Sequence, residues 1–105
     1  MKNNISGCSV EETMNVLGGR WKMLIISFLI EKTMRFNELR RALPHISQRM
    51  LTLELRDLEN EGFISRKIYA EVPVKVEYSV TNDGEKLRPL IEEIKKTGIW
   101  LKSRT

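Results

Sequence analysis

The stretch Ile46 to Gly62, ISQRMLTLELRDLENEG, decides how the rest of the chain is read. Leu51, Leu55 and Leu58 recur at the i, i+4, i+7 spacing of one helical face, which predicts an amphipathic helix buried on that side. Ser47 is the expected N-cap, because its hydroxyl oxygen can accept from an amide of the first turn, and Ile46 is placed to pack on Leu51 as a staple. Gly62 is the expected stop. The opposite face then presents Arg49, Thr52, Leu53, Arg56 and Asn60, with Gln48 at its start. Arginine can pair with guanine through two hydrogen bonds, glutamine with adenine, and an apolar group can touch the thymine methyl, so this set suits a helix lying in a major groove. Ser47, Gln48, Arg49, Thr52, Leu53 and Arg56 are therefore the candidate base-reading positions. An outward leucine also has a plain explanation, since single exposed leucines are common. The acids gather from Asp57 to Glu61, where they would stand clear of phosphate if the helix entered by its N-terminus.

Upstream, Asn37 is expected to cap a helix Glu38 to Leu43 that Pro44 ends. Only His45 and Ile46 separate it from Ser47, a link short enough for a helix-turn-helix. Thr33 to Phe36 has no periodicity and suits a turn or a very short strand. Before it, Trp21, Leu24, Ile25, Phe28 and Leu29 follow helical spacing, and Met23, Ile26 and Ile30 widen the stripe, which predicts a helix at the centre of the core. Ser9-Val10-Glu11-Glu12 has the capping-box pattern, so a first helix is expected from Ser9 as N-cap to about Leu17, broken by Gly18-Gly19.

Downstream of Gly62 the period changes. Phe63 to Tyr69 is rich in strand-forming residues, and Val74, Val76, Tyr78 and Val80 alternate with Lys75, Glu77 and Ser79, as in a half-buried strand. The expected hairpin has a projecting tip near Ala70 to Pro73, flanked by Arg66, Lys67 and Lys75. Thr81 is then expected to cap a last helix with Leu87, Leu90, Ile91, Ile94, Gly98 and Leu101 on one face, kinked at Pro89. Ile99 and Trp100 fall off that face. Either a subunit partner covers them or Trp100 folds back onto its own domain.

A length of 105 residues suits one domain, and 41% hydrophobic with 30% charged residues is ordinary globular composition. The net charge is +4, and the segment Lys32 to Arg49, with Lys32, Arg35, Arg40, Arg41 and Arg49 against Glu38, carries an excess equal to all of it. Such a patch fits phosphate, although surface charge often does no more than solvate a fold. Arg35, Arg40 and Arg41 are the candidate phosphate contacts before the helix-turn-helix, and Arg66, Lys67 and Lys75 those of the hairpin. The apolar run Met23 to Ile30 is far shorter than the roughly 20 residues that span a bilayer. Met1 to Gly7 is polar, unlike a secretory signal, and the single cysteine suits a reducing compartment, so a cytoplasmic location without membrane contact is expected.

Catalysis finds little support. One histidine, His45, and one cysteine, Cys8, lie far apart, and neither C-x-x-C, H-x-x-x-H nor a phosphate-binding glycine loop occurs, so no enzyme, metal or cofactor is expected. Glu54, Asp57, Glu59 and Glu61 are expected to be solvated surface. Cys8 precedes the start of the first helix, where the partial positive charge of the helix end can stabilise a thiolate. It is a candidate redox sensor, with a small structural cysteine as the alternative.

Four blocks in order, C-S-V-E-E-T-M through G-G-R-W-K at Cys8 to Lys22, R-F-N-E-L-R-R at Arg35 to Arg41, I-S-Q-R-M-L-T-L-E-L-R-D-L-E at Ile46 to Glu59, and V-P-V-K-V-E-Y-S-V-T at Val72 to Thr81, resemble the HxlR-type regulators. These are bacterial winged helix-turn-helix transcription factors related to the MarR group. The resemblance runs from Cys8 to about Ile94, and departs at Ser9, where many members have proline. It implies a homodimer built by the terminal helices, the Ser47 helix in the major groove, and a wing around Ala70 to Lys75 near the minor groove. Regulators similar to this one use a cysteine at the place of Cys8 to sense oxidants, quinones or aldehydes.

The expected protein is mainly α with a small β-hairpin, an α+β winged helix-turn-helix, with helix-turn-helix at about 37–61, wing at about 63–80 and a dimerisation helix at about 82–102. Ile94, Ile99, Trp100 and Leu101 are the candidate dimer contacts. The expected function is sequence-specific binding of pseudo-palindromic double-stranded DNA as a homodimer regulating transcription, with an oxidant or small-molecule effector. A second reading is a protein-interaction module on the same scaffold, which would need apolar anchors on the exposed helix face, where only Leu53 qualifies.

Overall fold

The computed structural model describes residues 8 to 105, so the expectation for Met1 to Gly7 lies outside the described residues. Among these, helices α1 (Ser9–Leu17), α2 (Lys22–Glu31), α3 (Phe36–Ala42) and α4 (Gln48–Asn60) precede a hairpin, and α5 (Asn82–Glu85) and α6 (Arg88–Ser103) follow it. The strands are β1 (Met34–Arg35), β2 (Ile64–Tyr69) and β3 (Lys75–Val80), in the order β1-β3-β2 and antiparallel throughout. None of the helices is long and apolar enough to cross a membrane.

The core lies where α2, α3, α4 and the sheet meet. Ile25, Ile26, Leu39, Leu43, Leu51, Leu58 and Ile64 are its fully buried side chains, and Met34, Leu55 and Ile91 join them. The inner face of α4 is the expected one, Leu51, Leu55 and Leu58. On α2 the buried face is Ile25, Ile26, Leu29 and Ile30, rotated from the expected stripe so that Leu24 is exposed. A helix apolar on nearly every side carries no period strong enough to fix which face turns inward.

Four boundaries differ from expectation. The Glu12 amide donates to the Cys8 carbonyl at 2.9 Å, so α1 begins with Cys8 as its boundary residue, and Ser9 is its first helical residue, not its cap. Helix α3 begins at Phe36, ahead of Asn37, because the Glu38 carboxylate reaches back to accept from the Arg35 amide at 2.8 Å. Pro89 does not kink a long helix. The chain closes α5 and starts α6 anew with Pro89 in its first turn, where the missing N–H would have had no helical partner. Finally, β3 is the central strand, and β1 pairs Met34 with Tyr78 and Arg35 with Glu77. Lys75, Glu77 and Ser79 are consequently half-covered instead of facing open solvent, while Val74 falls outside the strand and is exposed.

Two glycines are required by geometry. Gly62 has φ +87° at the end of α4, a left-handed conformation that turns the chain into β2. A Cβ at Gly84 would overlap the carbonyl oxygen of Phe63, so only glycine lets α5 rest on the α4–β2 corner. Thr81 closes that corner by donating through its hydroxyl to the Gly62 carbonyl and accepting from the Gly84 amide.

Candidate nucleic-acid interface

Ser47 caps α4 as its sequence requires, its hydroxyl oxygen accepting from the Met50 amide at 3.0 Å. Just before it, His45 takes φ +71°, which reverses the chain between α3 and α4 within a few residues. The outer face of α4 therefore stands clear of the body. Arg49, Leu53 and Arg56 are all exposed along it, Leu53 at 41%. Met50 is exposed beside them and was not singled out by the periodicity, because it falls between the two faces.

The local bonds restrict what each candidate can offer. The Thr52 hydroxyl donates to the Gln48 carbonyl at 2.9 Å, leaving only its lone pairs for a base. Ser47 has spent an acceptor on the cap and keeps its O–H. Gln48 Oε1 lies at a long 3.5 Å from Arg40 Nη1 of α3. Arg41, Arg49 and Arg56 form no ion pair among the described residues. The last helix differs, since Arg88 faces Glu85, Lys95 faces Glu92 and Lys96 faces Glu93. Arg41, Arg49 and Arg56 thus keep their charge free for an outside partner.

Two clefts flank the hairpin. One of about 360 Å³ lies between α4 and the sheet and is lined by Thr52, Arg56, Glu59, Asn60, Arg66 and Tyr78. Arg66 sits opposite Tyr78 in the ladder and 3.6 Å from Glu59, so it belongs to this cleft and not to the hairpin tip. Burial pushes the Tyr78 hydroxyl above its ordinary pKa, with the Arg66 charge opposing the shift. The other cleft, of about 780 Å³, lies between α3 and the hairpin, and Arg35, Arg41 and Lys75 contribute its cations. Near the tip, Lys67 and Lys75 approach the Tyr69 ring at 4.8 and 4.6 Å from its centroid, a cation–π arrangement that holds both ammonium groups together. The Tyr69 hydroxyl donates to Glu77 at 3.0 Å, and that bond, aided by Lys75, holds the Glu77 carboxyl below the usual carboxylate range. The role of Tyr69 was missed in the sequence because it depends on the hairpin register, which sets Tyr69 across from Lys75.

One of the acids expected to be solvated is largely covered, and a second is paired while still partly exposed. Glu54 lies 2.6 Å from Lys22 of α2 and is part-buried, and Glu59 pairs with Arg66. No sequence signal links residues 22 and 54. Cys8 is exposed at the N-terminus of α1, and the amides of Glu11 and then Val10 lower the pKa of its thiol. The candidate dimer residues Ile94, Ile99, Trp100 and Leu101 are all exposed on α6, which touches the core through Ile91. Trp100 is 58% exposed, so it does not fold back onto its own domain. Among the described residues no group of three His, Cys, Asp or Glu side chains is placed to hold a metal ion.

The profile of the HxlR-like helix-turn-helix family matches residues 16–104. The chain belongs to this family. It is 47% identical over 102 residues to the HTH-type transcriptional regulator YdeP of Bacillus subtilis, spanning 97% of this chain and 80% of that one. Among solved structures, the redox regulator HypR in its oxidized form superposes with a TM-score of 0.83 at 48% identity, covering 87% of this chain and 94% of HypR. The reduced form of the transcriptional regulator YodB from B. subtilis gives 0.75 at 37% identity, covering 85% and 88%. The architecture is accordingly a winged helix, with α3 and α4 as the helix-turn-helix and β2 and β3 as the wing.

Proposed function

We propose that this HxlR-like protein is a cytoplasmic, sequence-specific DNA-binding transcriptional regulator, not an enzyme, and that it meets a pseudo-palindromic operator as a homodimer. The exposed face of α4 carries the reading, with Arg49 and Arg56 unneutralised beside Leu53. In this reading α4 enters the major groove, and Lys67 and Lys75 of the wing reach toward the adjacent minor groove. The strand dividing the two grooves must cross between helix and wing, where Arg66 and Arg56 line a cleft ready for phosphate. Arg40 and Arg41 on α3, with Arg35 just before it, extend the same positive surface. A protein-docking role for α4 is less well served, because only Leu53 and Met50 are exposed apolar groups on it.

An anisotropy titration against the DNA upstream of its own coding sequence tests the proposal. Binding is expected to prefer that duplex over a scrambled one and to weaken steeply between about 50 and 200 mM salt, because the release of counterions from the duplex is less favourable as bulk salt rises. Equal binding of all sequences would overturn it.

Cys8 is the proposed control point, supported by its exposure, by the amides at the α1 N-terminus and by the likeness to HypR, a redox regulator. With one cysteine per chain, loss of two electrons and two protons to an oxidant such as diamide would join Cys8 to the Cys8 of a second chain or to a small thiol. Because its folded-state pKa is lowered, the thiolate is present at lower pH than in an ordinary cysteine. The pH profile of Cys8 alkylation by iodoacetamide should therefore have its midpoint below that of the same cysteine in an unfolded peptide. Diamide should change DNA affinity in the wild type and not in Cys8→Ser; the same response in both would return Cys8 to a structural role.

A further inference from the structure

The inner flank of α4 carries a second kind of contact, made by a residue of the core helix α2. Lys22 is the first residue of the central helix α2, and its ammonium lies 2.6 Å from Glu54 Oε1 and 3.5 Å from Asp57 Oδ2. The Lys22 and Glu54 side chains keep only 16% and 14% of their exposure. One cation on the core helix thus holds two carboxylates on adjoining turns of the helix that faces outward. Burial alone would push the Lys22 ammonium down, but Glu54 and then Asp57 outweigh it and hold it above the ordinary lysine range. It stays charged across the neutral range.

Hydrophobic packing through Leu51, Leu55 and Leu58 sets how deep α4 sits, but packing of this kind is non-directional and fixes the rotation of the helix about its own axis less firmly. Rotation matters at the outer face. On a helix about 5 to 6 Å in radius with its side chains, a roll of roughly 20° displaces the tips of Arg49, Leu53 and Arg56 by about 2 Å. Paired hydrogen bonds to a base tolerate only a few tenths of an ångström. The hydrogen-bonded ion bridge is directional, and it joins α4 to the most buried helix of the fold.

We propose that Lys22 is a positioning residue for DNA reading: its bridge to Glu54 and Asp57 sets the fine rotation of α4 and so where the tips of Arg49, Leu53 and Arg56 fall against the bases. The proposal rests on the assignment of α4 as the DNA-reading helix. It differs from a purely structural role, because a partly buried ion pair can be replaced by apolar groups without loss of stability, whereas its directionality cannot.

That difference provides the test. Lys22→Arg, Lys22→Met and the double variant Lys22→Met with Glu54→Met are compared with the wild type on a duplex that the wild type enriches from a random-sequence pool. The double variant should melt no lower than Lys22→Met. It should nonetheless lose about tenfold in discrimination between the enriched and a scrambled duplex. The slope of log affinity against log salt should be unchanged, because no phosphate contact is removed. Lys22→Arg should restore discrimination. In DNA-free protein, residual dipolar couplings of the α4 amides should shift relative to those of α2 in the double variant and return in Lys22→Arg. Wild-type discrimination with unmoved couplings in the double variant would overturn the proposal, and so would a reduced salt slope, which would place Lys22 on phosphate. Failure of the wild type to enrich any duplex would count against DNA reading itself, while the couplings would still decide whether Lys22 orients α4.

Discussion

Alanine in place of Arg49 or of Arg56 is expected to weaken binding to the cognate duplex by about 5- to 150-fold, corresponding to roughly 1 to 3 kcal/mol for a bidentate base contact. The two guanidinium groups lie two turns apart on the exposed side of α4, and neither is tied to a carboxylate among the described residues. Removing either should therefore cost the fold little. The loss on a scrambled duplex decides the role. If each arginine reads a base, nonspecific affinity and its salt slope should barely change, and the preference for the cognate site should collapse. An equal loss on both duplexes, with the slope reduced by about one, would assign that arginine to phosphate. Arg56 is the more exposed to this second outcome, because it also lines the cleft shared with Arg66. Sequence-dependent binding that survived both substitutions would overturn the assignment of α4.

Lysine in place of Trp100 should convert the proposed dimer to a monomer and reduce cognate affinity by about 100-fold or more, since two linked reading heads gain roughly 10² to 10⁴ over one. The reasoning begins with shape. The radius of gyration is 15.1 Å and the longest extent 47 Å, against about 13 Å for a compact chain of 100 residues. Helix α6 buries Ile91 and leaves Ile94, Ile99, Trp100 and Leu101 exposed. Val10 and Met14 on α1 are exposed as well. Apolar groups gathered on two terminal helices are what an interface core requires, and tryptophan is among the residues most costly to lose from one. Two copies joined there would have to set their α4 helices about 34 Å apart, one turn of duplex. Sedimentation velocity and the anisotropy titration measure the two consequences together. A Trp100→Lys chain that remained dimeric and bound normally would move the interface elsewhere.

Most of the local structure was legible in the residues themselves. The leucine spacing of α4, its Ser47 cap and the short link after Pro44 each rest on interactions within a few residues, and each appears in the structure, whereas the alternation expected in β3 is lost because β1 and β2 flank it on both edges. Where the local signal was ambiguous the reading slipped by a residue or more. Cys8 and not Ser9 bounds α1, because the first hydrogen bond of the helix and not the best capping residue determines where it begins. The single interrupted helix became α5 and α6, the break falling at Lys86 and Leu87, so that Pro89 lies in a first turn where it has no helical hydrogen bond to remove.

Side-chain partners far apart in sequence were not legible at all. By itself the sequence determined that a capped amphipathic helix would present Arg49, Leu53 and Arg56 away from an apolar core, since a period of 3.6 residues requires it. Only the tertiary structure decided what holds that face in place. The bridge from Lys22 to Glu54 spans 32 residues, Arg66 reaches Glu59 across the α4–β2 corner, and Tyr69 gathers Lys67 and Lys75 through the hairpin register. Charge is a property of each residue, but pairing depends on where packing brings two elements together, and no local pattern encodes that distance.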